Sequence, residues 1–112
     1  MLREIKGTQR LPRVLAFRVT GTGTAVINEG NFDATLTDNG TGDYTLTFAK
    51  PFARTPVVMI TPVGAAGDII ATIDTVSTTA VIVNTWDATD GTTAKDGVFH
   101  VLVHGWDAAD QT

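Results

Sequence analysis

The chain is organised as short segments rich in β-branched residues that recur every 10 to 12 residues. Twenty of its 112 residues are threonine, and Gly, Asn and Asp separate the segments. β-Branched side chains fit a pleated, half-buried surface, and evenly spaced short strands are typical of sandwiches and barrels. No segment has the apolar spacing of an amphipathic helix. The sequence therefore predicts an all-β, antiparallel, jelly-roll-like β-sandwich of about eight strands.

The predicted strands end at turn residues or prolines, and they cover residues 13–20, 24–28, 32–37, 44–48, 57–61, 68–76, 80–86 and 97–106. Their alternation predicts that Tyr44, Leu46 and Phe48 point inward. Phe32 is likewise predicted on the inner face of its strand. The segment 57–61 is apolar on both faces, so it is expected either at the centre of a sheet or between the core and a partner subunit.

The length of 112 residues fits one domain, predicted at residues 13–112, with a short N-terminal arm at residues 1–12. The chain has no cysteine, which excludes disulfides and thiolate sites, and added stability is expected from association with other chains. The N-terminus lacks the apolar region of a secretory signal, and no apolar run is long enough to span a bilayer. Synthesis in a cytoplasm, followed by retention there or by assembly into a particle, is the expectation, without membrane insertion.

Basic residues are concentrated near the N-terminus, whereas residues 19–112 carry three basic and eleven acidic groups. A basic arm on an acidic body favours docking on an acidic partner, which could be another copy, a different protein or nucleic acid. The body lacks basic residues interleaved with aromatic ones, so nucleic acid is not the expected partner. The residues predicted to dock are Leu2, Arg3, Ile5, Lys6, Arg10, Leu11 and Arg13.

Nothing in the sequence indicates an enzyme or a cofactor site. Ser77 is the only serine, and it lies in a predicted turn without a nucleophile motif. Aspartates are plentiful, but no feature selects a catalytic pair of carboxylates. The glycines of Gly21-Thr-Gly23 precede no predicted helix, so they do not form a phosphate-binding loop.

Two metal sites remain as alternatives to the expectation that no metal is bound. His100 and His104 lie on one side of a predicted strand about 13 Å apart, too far to share a metal within one chain. Three copies of His104 around a trimer axis could hold a metal or an anion. Calcium is the other alternative, at the aspartates of one polar loop, although their spacing is not that of an EF-hand. These aspartates are Asp87, Asp90 and Asp96.

The segment 42–63 reads G-D-Y-T-L-T-F-A-K-P-F-A-R-T-P-V-V-M-I-T-P-V. With V-I-V-N-T at 81–85 and F-H-V-L-V-H-G at 99–105, it resembles a short β-sandwich module of tailed-bacteriophage virion proteins. The resemblance covers about residues 24–106, and the module occurs in capsid decoration proteins, head fibres and fibre tips.

The resemblance implies a homotrimer that binds the major capsid protein or another virion protein. Because the chain carries an arm and no long shaft, a capsid decoration (cement) protein or a short head fibre is expected. Its location would be the particle surface, after synthesis in the host cytoplasm. Candidates for the trimer interface come from strands that are apolar on two faces, and they are Val57, Met59, Val81, Val83, His100, Leu102 and His104.

The connector 48–56 also resembles H-type lectins, which are trimeric and have F-x-x-P-F-x-x-x-P at a similar place. This implies a receptor- or glycan-binding tip as the alternative function. The pattern W-D-A-x-D occurs at 86–90 and 106–110, each time after a strand, so both tryptophans are predicted at one end of the sandwich, unless they belong to the core. The candidate contacts are Trp86, Asp87, Asp90, Trp106 and Asp107. A host structural domain unrelated to phage is the third hypothesis.

Overall fold

The computed structural model describes residues 10–30, 32–64 and 68–108, and of Arg10 only the main chain. This part of the chain forms two packed, four-stranded antiparallel sheets, with strand orders β2-β1-β8-β5 and β3-β4-β7-β6. The predicted all-β antiparallel sandwich of about eight strands is confirmed. The strands are β1 (Arg10–Thr20), β2 (Val26–Glu29), β3 (Ala34–Gly40), β4 (Asp43–Phe48), β5 (Val57–Val63), β6 (Ile69–Val76), β7 (Ala80–Asp87) and β8 (Val98–Ala108).

The first and last strands are neighbours in one sheet. β1 pairs with β8 along its whole length, from Arg10 opposite Ala108 to Thr20 opposite Val98. The first strand therefore begins three residues before its predicted start at residue 13, and residues 10–12 belong to the sandwich, not to an arm. The sequence did not indicate this because Pro12 interrupts the alternation, while the long partner strand β8 continues the pairing past it.

The core lies between the inner faces of the two sheets. Tyr44 and Leu46 are fully buried and Phe48 is nearly so, as the alternation predicts. Phe32 was predicted on an inner face and is instead 90% exposed, because β3 begins two residues later and Phe32 lies in the preceding turn. The remaining core residues are Leu15, Phe17, Val19, Ala34, Phe52, Val58, Val81, Val83, Phe99, Val101 and Val103.

The strand that is apolar on both faces is an edge strand. Among the described residues β5 pairs with β8 alone, so of the two predicted positions the centre of a sheet was wrong, and contact with a partner subunit stays a prediction. Its inward residue Val58 is buried, whereas Val57 and Met59 point outward. Pro62 lies within β5, a position that an edge strand tolerates because proline lacks the N–H that a second neighbour would need.

A buried polar link ties the loop at residues 88–97 to both sheets. The Tyr44 hydroxyl donates to Asp96 Oδ1 at 2.5 Å, and the Gly42 N–H donates to the same oxygen at 2.8 Å. Burial, followed by the hydrogen bond to Asp96, raises the pKa of Tyr44 well above its ordinary value. Gly21 packs against this hydroxyl so closely that a Cβ there would collide with it. Within the described ranges, no helix has the length and apolarity that crossing a bilayer requires.

Candidate functional site

The outward side of the β2-β1-β8-β5 sheet carries a cluster of apolar side chains. Val14, Val57 and Met59 are 57%, 59% and 57% exposed, and Leu102 is 38% exposed. Contiguous exposed apolar surface on a closed domain marks an interaction site more often than scattered apolar residues do. We call this surface the apolar face, and it consists of Val14, Ala16, Val57, Met59 and Leu102.

Strand register makes the apolar face continuous. β8 lies between β5 and β1, so each outward residue of β8 has one outward neighbour on either side. Two rows cross the three strands, Val57–His104–Val14 and Met59–Leu102–Ala16. The ring of His104 also stacks on Trp106, with 5.2 Å between ring centroids and 26° between planes. One aromatic pair therefore borders the face at the end nearest Arg10.

A depression of about 650 Å³ lies at the other end of the apolar face. In its polar row His100 stands between Thr61 of β5 and Arg18 of β1, and Arg18 is followed by Glu29 of β2. Arg18 Nη1 lies 3.1 Å from His100 Nε2, within hydrogen-bond distance. The lining residues are Ala16, Phe17, Arg18, Glu29, Met59, Thr61, His100, Val101 and Leu102.

The structure brings five of the seven predicted interface residues together on this sheet, namely Val57, Met59, His100, Leu102 and His104. The prediction was wrong for Val81 and Val83, which are fully buried in the core. Both sit on β7, a central strand of the other sheet, where their side of the strand faces inward. In β5 and β8 the apolar residues are divided between the core and the outer surface of the sheet. In β7 most of them lie in the core.

The residues predicted to dock on a partner are not one group. Leu2, Arg3, Ile5 and Lys6 lie outside the described residues, whereas Arg10 and Leu11 are in β1. Arg13 faces inward, where its guanidinium lies 3.9 Å from the centre of the Phe52 ring. It donates to the carbonyl oxygens of Lys50 and Pro51 at 2.9 and 3.1 Å and pairs with Asp107 at 3.0 Å. Arg13 therefore belongs to an internal network and not to a docking surface.

The residues proposed for a glycan site lie at opposite ends of the molecule. Trp86 bridges to Ala94 in the loop after β7, and its Nε1–H donates to Thr72 at 2.9 Å. The Trp106 carbonyl accepts from the Ala53 N–H in the connector at the other end. The prediction that both tryptophans share one end was wrong. β7 runs into the loop that joins it to β8, and β8 runs away from that loop, so the C-terminal ends of the two strands lie at opposite ends of the sandwich. Asp87 and Asp90 accompany Trp86, while Asp107 accompanies Trp106.

The aspartates of the predicted calcium loop bond to the chain itself. Asp87 accepts from the N–H and the hydroxyl of Thr89, and these bonds lower the pKa of Asp87 below its ordinary value. Asp90 accepts from Thr93 in the same way, which lowers the pKa of Asp90 to about 2. Asp96 is bonded at the buried link. Within residues 10–30, 32–64 and 68–108, no group of three His, Asp or Glu side chains is placed to hold a metal ion.

Sequence reasoning missed Val14 and Ala16 as part of the apolar face, and Arg18 and Glu29 as part of the depression. Val14, Ala16 and Arg18 could have been identified from the sequence, because Leu15 and Phe17 are predicted to point inward and their neighbours in the strand must then face outward. Glu29 could not be found in this way, since its place opposite Arg18 depends on a register shift between β1 and β2.

The described residues thus present one apolar face with a depression at one end, and two separated ends of the sandwich that carry one tryptophan each. Strand alternation and pairing position all of them, and the aspartates near the loop end are satisfied by the chain. Comparisons of the chain with protein-family models, with curated proteins and with solved structures found no match.

Proposed function

We propose that this protein is a structural virion protein, of the capsid decoration (cement) or short head-fibre type, that binds the capsid surface as a homotrimer. The observation that carries the self-association is the apolar face, an exposed apolar surface on a sandwich whose core is otherwise complete. The resemblance of residues 24–106 to tailed-phage virion modules supports the viral part of the proposal. Its motif residues Tyr44, Leu46 and Phe48 have the inward orientation that such a module requires.

The size of the apolar face fits an assembly contact that needs further area. Three strands about 4.8 Å apart and two rows of outward residues about 6.8 Å apart give a face of roughly 200 Å². At about 25 cal/mol per Å² this corresponds to roughly 5 kcal/mol for each covered face. Association costs on the order of 4–15 kcal/mol, so the apolar face contributes but additional contacts are needed.

A trimer suits a capsid because local three-fold axes of a shell present three equivalent binding sites. The segment proposed to dock on the shell is residues 1–9, since residues 10–12 are part of β1. It carries Arg3 and Lys6 together with Leu2 and Ile5, a mixture of basic and apolar side chains that suits a groove or a sheet edge on an acidic shell.

Light scattering on the purified chain tests the self-association. We expect a mass three times the chain mass of 11.8 kDa at micromolar concentration. A monomer under these conditions would contradict the proposal. The matched variant lacks residues 1–9, and it should remain a trimer because the described interface residues are retained.

Immunogold labelling of native virus particles with an antibody against the protein tests the location. Label on the capsid surface supports the proposal, and particles without label contradict it. Isolated shells should bind the full chain and not the variant without residues 1–9. Glycan binding that survives this deletion and is lost in Trp86→Ala would favour the receptor-binding alternative instead.

A further inference from the structure

We infer that Phe32 of one copy inserts into the depression of a neighbouring copy, so that each subunit contributes one ring and receives one. This deepens the proposed function and rests on its self-association. Each chain carries both parts of this contact, a projecting aromatic ring and an apolar depression that can receive the ring of another copy.

The projecting half is the turn between β2 and β3. Phe32 is 90% exposed, the largest exposed fraction among the large hydrophobic side chains in the described part of the chain. Next to it, the Asp33 N–H donates to the Gly30 carbonyl at 3.0 Å and the Asp33 carbonyl accepts from the Ala49 N–H at 2.8 Å. Gly30 has a positive φ of 82° and packs against the Ala16 carbonyl, where a Cβ would collide. The turn therefore holds the ring outward.

The receiving half is the depression at the end of the apolar face. Ala16, Met59 and Leu102 supply apolar surface, and the polar row with Arg18 and His100 closes one end. Its volume of about 650 Å³ is ample for one aromatic side chain. A cavity of roughly 150 Å³ already binds benzene in an engineered protein. Because Phe32 is almost fully exposed, it does not occupy the depression of its own chain.

A second copy as the occupant would cover more apolar area than the apolar face provides alone. A stable interface buries about 800 Å² per partner, and the apolar face alone offers roughly 200 Å². A buried phenylalanine adds roughly 150–250 Å², and the turn around it adds its rim. A foreign partner would leave Phe32 of the same chain uncovered, whereas a second copy covers the ring and the depression together.

The charges near the contact largely offset one another, and the symmetry is that of a contact between copies. Asp33 follows Phe32 in the turn, and Arg18 lies at the polar end of the depression, although Glu29 next to Arg18 reduces the net attraction. The contact therefore depends mainly on apolar burial. Reciprocal insertion is compatible with a two-fold dimer and with a head-to-tail ring that closes, such as the proposed trimer.

The first test measures the dissociation constant of the assembly by analytical ultracentrifugation. Phe32→Ala should raise it about tenfold or more, as expected for a central aromatic anchor. The control is Ile70→Ala, which removes an exposed apolar side chain on the other sheet and should leave the dissociation constant unchanged. A wild-type chain that is monomeric contradicts the self-association itself. A wild-type assembly that Phe32→Ala leaves intact contradicts only the insertion of Phe32.

The second test uses the absence of cysteine from the chain. A tagged Phe32→Cys variant mixed with an untagged Met59→Cys variant should form a mixed disulfide under mild oxidation, at least about ten times faster than the same variant mixed with Ile70→Cys. Both substitutions are at exposed positions, so folding should be retained and is checked by circular dichroism. Equal rates for the two mixtures would overturn the inference.

Discussion

The two sheets have similar inner surfaces and different outer surfaces. On β4, inward Tyr44, Leu46 and Phe48 alternate with threonines, whereas on β5 the residues on both sides of inward Val58 are apolar. The outward threonines of the β3-β4-β7-β6 sheet form a second surface, which we call the threonine face, consisting of Thr35, Thr37, Thr45, Thr47 and Thr72.

The difference separates what folds the chain from what the chain can bind. Cross-strand pairs such as Thr35 with Thr47 favour a sheet and leave hydroxyls for water, although the same sheet also exposes Ile70 and Ile73 on β6. Met59 and Leu102 lie outside the core, so they do not contribute to its packing, and they expose apolar surface to water. The proposed self-association would cover the apolar face and leave the threonine face in solvent.

The largest expected effect is the difference in the free energy of unfolding between an inward and an outward substitution on β8. Phe99→Ala should lower the free energy of unfolding by about 3–5 kcal/mol, because it leaves a cavity in the core. His100→Ala, at the next position, should change it by less than about 0.5 kcal/mol, because His100 is exposed. Urea titrations in a Met59→Glu background remove any contribution from association. Similar losses for both variants would mean that the outward side of β8 is part of the folded core.

Introducing a charge on each outer face tests the comparison directly. Met59→Glu should raise the dissociation constant of the assembly at least about 100-fold, because an unpaired carboxylate would be buried at the contact. Thr47→Glu places the same charge on the threonine face and should leave it unchanged. Sedimentation equilibrium gives both values. Weakening by both variants, or by Thr47→Glu alone, would contradict the assignment of the contact to the apolar face.

The two arginines of β1 sharpen the comparison within one strand. Arg13→Met should lower the free energy of unfolding by about 2 kcal/mol, because the inward guanidinium bonds two carbonyl oxygens and Asp107. Arg18→Met changes an outward residue whose side chain contacts His100, so a change below about 0.5 kcal/mol is expected. Thermal and urea unfolding measure both variants. An Arg13→Met protein of wild-type stability would show that the internal network does not contribute.

The smallest effect concerns the loop after β7, at one end of the threonine-face sheet. Asp90 is ionised at neutral pH, and hydrogen bonds from Thr93 and Thr92 lower its pKa to about 2. Because the pKa is lowered on folding, the stabilisation of the loop is complete above about pH 4 and is lost as the pH falls through about 2. The amide resonance of Thr93 should titrate with that midpoint in NMR spectra. Asp90→Asn should abolish the titration, and a midpoint near 4 in the wild type would contradict the bonding.

Inward alternation made much of this fold predictable. Periodicity in β4 identified its core residues, and regular spacing gave the number of strands and the sandwich. Periodicity does not encode strand neighbours, so the edge position of β5 and the opposite ends of Trp86 and Trp106 could not be foreseen. Strand starts were also uncertain by two or three residues, which moved Phe32 from the predicted core to a turn.

The candidate site was predictable only in part. The outward residues of β5 and β8 were identified from strands apolar on both faces, but the same reasoning wrongly included Val81 and Val83, because burial depends on which strand lies centrally. Charge alone suggested that Arg13 binds a partner. Its contacts with Phe52 and Asp107 come from residues 39 and 94 positions away, and local sequence carries no signal for them.

The pairing of Arg10 with Ala108 sets how the molecule would respond to mechanical load. These two residues lie side by side, so a pull applied through them would separate β1 from β8 one residue pair at a time, starting at Arg10 and Ala108, and would not shear all the pairs together. The load would reach the opposite end of the two strands, Thr20 and Val98, last.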